Sequence, residues 1–160
     1  MAERETPEAA SRPDAGSPPF RLRVEGDSMS PTVSAGATVQ AEPLHGEPAA
    51  PGQVVVIGST NGPPAVHRVI ARRRTSSGWL YVTKGDAMHR TDAVVEGRSI
   101  VARVTAVEAG GQLTPVPPSR PSVWTALEAR GKLLLHGKLG GNHPLRRLAR
   151  ALGRLARREP

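Results

Sequence analysis

The residues of this chain able to do chemistry fall in three short stretches. The first is VEGDSMSPTV, residues 24–33, which sets the hydroxyl of Ser28 between a Gly-Asp turn and a Met-x-Pro segment. A serine hydroxyl is a weak nucleophile until a base takes its proton, so Ser28 needs a partner within hydrogen-bond reach. The second stretch, AVHRVI at 65–70, offers His67. Its reference pKa of about 6.5 suits proton transfer near neutrality. The third, TKGDAMHRTD at 83–92, offers Lys84, Asp86 and Asp92. Lys84 must be desolvated to lose its proton from a reference pKa of about 10.4, so histidine is the simpler base. A carboxylate beside an imidazole fixes its tautomer and stabilises the imidazolium formed during proton transfer. Either aspartate can fill that role, and the sequence does not separate them. The chain thus carries a candidate Ser/His/Asp set in the order Ser28, His67, then Asp86 or Asp92.

Rigid elements must hold these groups, and the pattern between Phe20 and about Leu113 is one of short strands. FRLRV (20–24), ATVQAE (37–42), QVVVIGS (53–59), AVHRVIARR (65–73), GWLYVTK (78–84) and SIVARVTAVE (99–108) are rich in β-branched residues and bounded by Gly, Pro and Asn. Several alternate in period two, as half-buried strands do. STNGPP (59–64) and RTSSG (74–78) read as turns between strands. The predicted fold is a small, mainly β domain over residues 20–113. With 160 residues, 17 glycines, 16 prolines and 2% aromatics, the chain fits one turn-rich domain with a modest core. It has no cysteine, which excludes thiol catalysis, disulfides and cysteine-ligated zinc. His45, His89, His136 and His143 share no ligand spacing, so no metal and no cofactor is implied.

The ends have a different character. Residues 1–19, rich in Pro, Ala, Glu and Ser without periodicity, read as a disordered leader. TPVPPSRPS (114–122) reads as a stiff linker, and 123–160 as a basic helical tail. From residue 120 onward ten Lys and Arg face two Glu, whereas the rest of the chain balances twelve against twelve. In residues 143–158, Leu145, Leu148, Leu152 and Leu155 recur on one helical face among arginines. Such an amphipathic basic helix packs on its own domain or lies on an anionic membrane surface. Nucleic-acid binding ranks below both, because the tail lacks aromatic stacking residues and a DNA-binding motif. No stretch reaches the roughly 18–20 apolar residues that span a bilayer, and the N-terminus lacks the pattern of a signal peptide. The expected location is the cytoplasm, to which the membrane reading of the tail would add a peripheral contact.

GDSMSPT, VHRVI and TKGD followed by an aspartate six residues later resemble the three motif boxes of the type I signal peptidase family. The likeness is to its endoplasmic-reticulum and archaeal-like branch, which has histidine where the common bacterial branch has lysine. It covers roughly residues 22–105. The resemblance implies Ser28 as nucleophile, His67 as general base and Asp86 and Asp92 as acidic partners. It also implies a β-rich endopeptidase that cuts an extended peptide or leader after small side chains. VEGDSM is equally similar to the self-cleaving SOS-repressor peptidases of the same superfamily, which use a lysine base. Three departures stand out. A polar leader precedes Ser28 where the family usually has a transmembrane anchor. Gly26 stands where a serine is common, which leaves an oxyanion hole to backbone amides such as that of Ser28. Ala87 and Met88 replace the usual asparagines after TKGD. The alternative reading is a non-enzymatic peptide-binding or self-cleaving regulatory module, for which Ala15–Gly16 is a conceivable self-cleavage bond, with a lipid- or DNA-binding tail.

Overall fold

The computed structural model of the chain describes residues 17–44, 46–59 and 62–138. Eight strands, β1 (Phe20–Arg23), β2 (Thr38–Pro43), β3 (Val54–Ile57), β4 (Ala65–Thr75), β5 (Gly78–Lys84), β6 (Val95–Glu96), β7 (Ile100–Ala109) and β8 (Gln112–Pro115), are followed by one helix, α1 (Val123–Lys138). All strand pairs are antiparallel, in the order β1-β2-β7-β3-β4-β5-β6, with β8 also on β7. The architecture is mainly β with a C-terminal helix. Register shifts at Gln40/Ala41, Val56/Ile57 and Val69/Ala71 interrupt the ladders. Such bulges bend and twist strands, and here they accompany the curl of the sheet.

Burial follows from which faces are covered. In β2 buried and half-buried residues alternate, while VVVI of β3 is buried at its first three positions. A strand covered on both sides reads as a continuous apolar run. Side chains alternate across the sheet, so Val54, Val56 and Val66 join the core that also holds Val39, Val104 and Val107. Val55, Val69, Tyr81 and Ile100 pack on the other side. A third cluster, Ile70, Ala71, Leu80 and Val82, receives Ala129 and Leu133 of α1.

All six strands read from the sequence are present, with every end within two residues of its expected place. β6 and β8 were not foreseen, and the second of these corrects the linker reading. Residues 112–115 extend the hairpin from β7, and the following segment is tied down by Val116 N–H donating to Thr105 O (3.0 Å) and Ser119 N–H donating to Gly52 O (3.1 Å). Prolines lack a donor but tolerate an edge position. Gly52 is required at this contact. Its φ is +94°, and an added Cβ would stand 2.8 Å from Ser119 O.

Helix α1 begins at a serine cap. Ser122 Oγ accepts from Thr125 N–H at 3.2 Å, and Ser122 O accepts from Ala126 N–H. Among the described residues, no helix is long and apolar enough to cross a membrane. The leader reading over residues 1–16, the bond Ala15–Gly16 and the amphipathic reading of 143–158 with its lipid contact lie outside the described residues.

Candidate active site

The turn carrying Ser28 is held by what surrounds it. Met29 and Val33 are fully buried in the main core, and Val33 N–H donates to Met29 O at 3.0 Å. Met29 is therefore a core anchor for the turn. On the other side the turn meets the end of β5. Ala87 N–H donates to Ser28 O at 2.9 Å. Gly85 is pressed so closely against the turn that a Cβ there would lie 2.5 Å from Ser28 O and 3.0 Å from Ser28 Cβ. A glycine is what allows the two main chains to approach.

His67 projects from β4 beside this turn. In the register of β4 and β5, Arg68 pairs with Lys84 and Val69 with Thr83. Period-two alternation then sends His67, Val69 and Thr83 to one face and Arg68 and Lys84 to the other. On the first face His67 Nε2 lies 3.2 Å from Ser28 Oγ, and His67 Nδ1 lies 2.6 Å from Asp92 Oδ2. An ionised carboxylate only accepts hydrogen bonds, so Nδ1–H donates to Asp92 and Nε2 is left as the acceptor of the Ser28 hydroxyl proton. The same Asp92 oxygen accepts from Thr83 Oγ1 at 2.7 Å, and Asp92 N–H donates to Thr83 O at 2.8 Å. Thr83 is itself fully buried. The result is a continuous relay from Ser28 through His67 and Asp92 to Thr83.

Asp86 takes no part in that relay. Arg68 Nε and Nη2 donate to its two oxygens at 2.8 and 2.6 Å, and Thr32 Oγ1 donates to Oδ2 at 2.5 Å. Arg68 also donates to Gly52 O at 2.7 Å, which ties the β2–β3 loop to the same point. Burial alone would raise the Asp86 pKa. The hydrogen bonds from Arg68 and Thr32, with the charges of Arg68 and Lys84, outweigh it and hold the carboxyl below its ordinary value. Of the two candidate aspartates, then, the structure brings only Asp92 to His67. Asp86 is the carboxylate of a buried ion pair beneath the Ser28 turn. Lys84 lies on the Arg68 face, where its ammonium donates to Gly85 O (3.2 Å) and Asp86 O (3.5 Å).

The sequence reading passed over four residues that build the site. Thr83 had a signal, a hydroxyl inside a strand otherwise filled by Leu80, Tyr81 and Val82. Arg68 had one too, a charge between the apolar Val66 and Val69. Thr91 and Lys132 had none, because their contact joins residues 41 apart in sequence. Among the described residues, no group of three His, Cys, Asp or Glu is placed to hold a metal ion. The chain matches no protein-family model and no curated protein.

Proposed function

We propose that this chain is a serine endopeptidase of the signal peptidase type. The relay of Ser28 Oγ, His67 and Asp92, with spacings of 3.2 and 2.6 Å, carries the reading. His67 Nε2 takes the hydroxyl proton as Ser28 Oγ attacks the peptide carbonyl, and Asp92 stabilises the imidazolium that forms. Among the described residues the Ser28 N–H makes no hydrogen bond, so it is free to donate to the developing oxyanion. Collapse of the tetrahedral intermediate breaks the C–N bond as His67 returns its proton to the leaving amine. Water deprotonated by the same imidazole then releases the acyl group from Ser28. The substrate class, an extended peptide cut after small side chains, rests on the likeness of the three motif boxes.

The test is labelling by a serine-reactive acylating probe, read by intact mass. Wild type gains one probe mass, while Ser28→Ala and His67→Ala gain none, because members of such a set act as a unit. A folded wild type left unlabelled would overturn the reading and favour a peptide-binding module. Loss of mass on standing without substrate would instead point to self-cleavage.

A further inference from the structure

The proposed mechanism accounts for one side of Asp92, where Thr83 holds it, but not for the clasp on its other side. Lys132 Nζ, reaching from α1, donates to Thr91 O and Thr91 Oγ1, each at 2.7 Å, and to Asp92 O at 3.3 Å. Thr91 Oγ1 in turn donates to Glu128 Oε1 at 2.7 Å. Glu128 and Lys132, one helical turn apart, close the ring at 2.9 Å. Thr91 is only 6% exposed. The hydrogen bond from Thr91, then that from Lys132, holds the Glu128 carboxyl below its ordinary pKa.

The layout of α1 shows what the clasp is for. Ala129 and Leu133, the residues next to Glu128 and Lys132, are the two that anchor the helix in the apolar cluster on β4 and β5. Two i,i+4 pairs lie side by side, one apolar and docked on the sheet, one charged and closed on the Asp92 loop. As a surface ion pair, with side chains 34% and 40% exposed, Lys132 and Glu128 contribute little stability. The three bonds from Lys132 to Thr91 and Asp92 instead hold the main chain from which the carboxylate projects. A carboxylate that orients an imidazole must keep its place within a fraction of an ångström, which is hard for a loop held on one side only.

We propose that Lys132 is a positioning residue. Together with Glu128 it locks the main chain at Thr91 and Asp92, so that Asp92 Oδ2 stays within hydrogen-bond distance of His67 Nδ1. The inference rests on the reading of Ser28 as a nucleophile activated through His67. It makes α1, a helix outside the motif-bearing strands, a necessary part of the site.

The test variant is Lys132→Met, which keeps the length of the side chain and the helix propensity but removes the donors. Its limiting rate of Ser28 acylation should fall about tenfold, as when an outer partner of a site ligand is lost, with the half-saturating probe concentration unchanged. Lys132→Arg, which retains donors, should recover part of the rate. In an Asp92→Asn background, Lys132→Met should cost nothing more, because it acts only through Asp92. Proton NMR of the full chain provides a readout independent of activity. A downfield imidazole N–H signal, assigned by its loss in His67→Gln, should broaden or vanish in Lys132→Met. A wild-type rate in Lys132→Met, or the same fractional loss with and without Asp92, would overturn the positioning role while leaving the peptidase reading intact. If wild type is not labelled at all, the peptidase reading fails, and an unchanged downfield signal in Lys132→Met then overturns the positioning role as well.

Discussion

Replacing Asp86 by alanine separates the two carboxylates that the sequence left equivalent. The side chains of Arg68 and Asp86 are 7% and 18% exposed, so the variant leaves a guanidinium in the interior without its carboxylate. What remains to it is Gly52 O at 2.7 Å and a long contact to Thr32 at 3.4 Å. Removing one partner of a buried pair costs about 3–5 kcal/mol. Because Gly52 O persists and the Asp86 edge touches water, the lower end applies, about 3 kcal/mol. For a domain of this size that loss corresponds to a fall in Tm of about 10 °C. Urea unfolding followed by tryptophan fluorescence measures it as a lower midpoint at unchanged m. Replacing both residues, Arg68→Met with Asp86→Ala, should restore most of the loss, since the unpaired charge goes with its partner. The sign of the pH dependence follows from the lowered pKa of Asp86. Its stabilisation is complete above the unfolded value of about 3.9 and is lost as pH falls through the lower folded value. Wild type should therefore lose stability below about pH 4 more steeply than Asp86→Asn. A loss under about 1 kcal/mol, no greater than that of an ordinary surface pair, would refute the structural role of the ion pair. So would a double variant as unstable as the single one. Failure of folded Asp86→Ala to acylate at Ser28 would place Asp86 in the chemistry instead.

Asp92→Asn should leave Tm nearly unchanged and slow acylation by on the order of 10⁴-fold, the effect of losing tautomer control over a catalytic imidazole; probe kinetics beside a melting curve check both halves. Gly85→Ala forces its Cβ against Ser28 O and Ser28 Cβ, at 2.5 and 3.0 Å. A displacement of Ser28 Oγ by about 1 Å should slow its acylation roughly 10²-fold, again read from the probe kinetics. Lys84→Met should acylate at the wild-type rate, since among the described residues Lys84 donates only to main-chain carbonyls, on the face opposite His67; a large loss would return the lysine to candidacy as the base.

Much of this protein was legible in the linear order of residues because the physics involved is local. Alternation of β-branched and polar residues between Gly and Pro turns marked six of the eight strands. The need of a serine for a base, and of an imidazole for a carboxylate, named Ser28 and His67 and narrowed the third partner to two residues. β8 escaped because prolines at 115, 117 and 118 mask a strand that pairs at an edge. Other decisions required the chain to close on itself. Asp86 and Asp92 flank the same loop, and only the register of β4 on β5 determined which one meets His67. That register puts Arg68 and Lys84 on one face, where they draw Asp86 into an ion pair, and leaves His67 and Thr83 on the other to receive Asp92. The role of α1 was equally invisible, since a lysine at 132 reads as a solvated helix residue until the sheet brings Thr91 within 2.7 Å of it. Residue type and spacing determined which groups could react. The alternation of side chains across a paired sheet decided which of them meet.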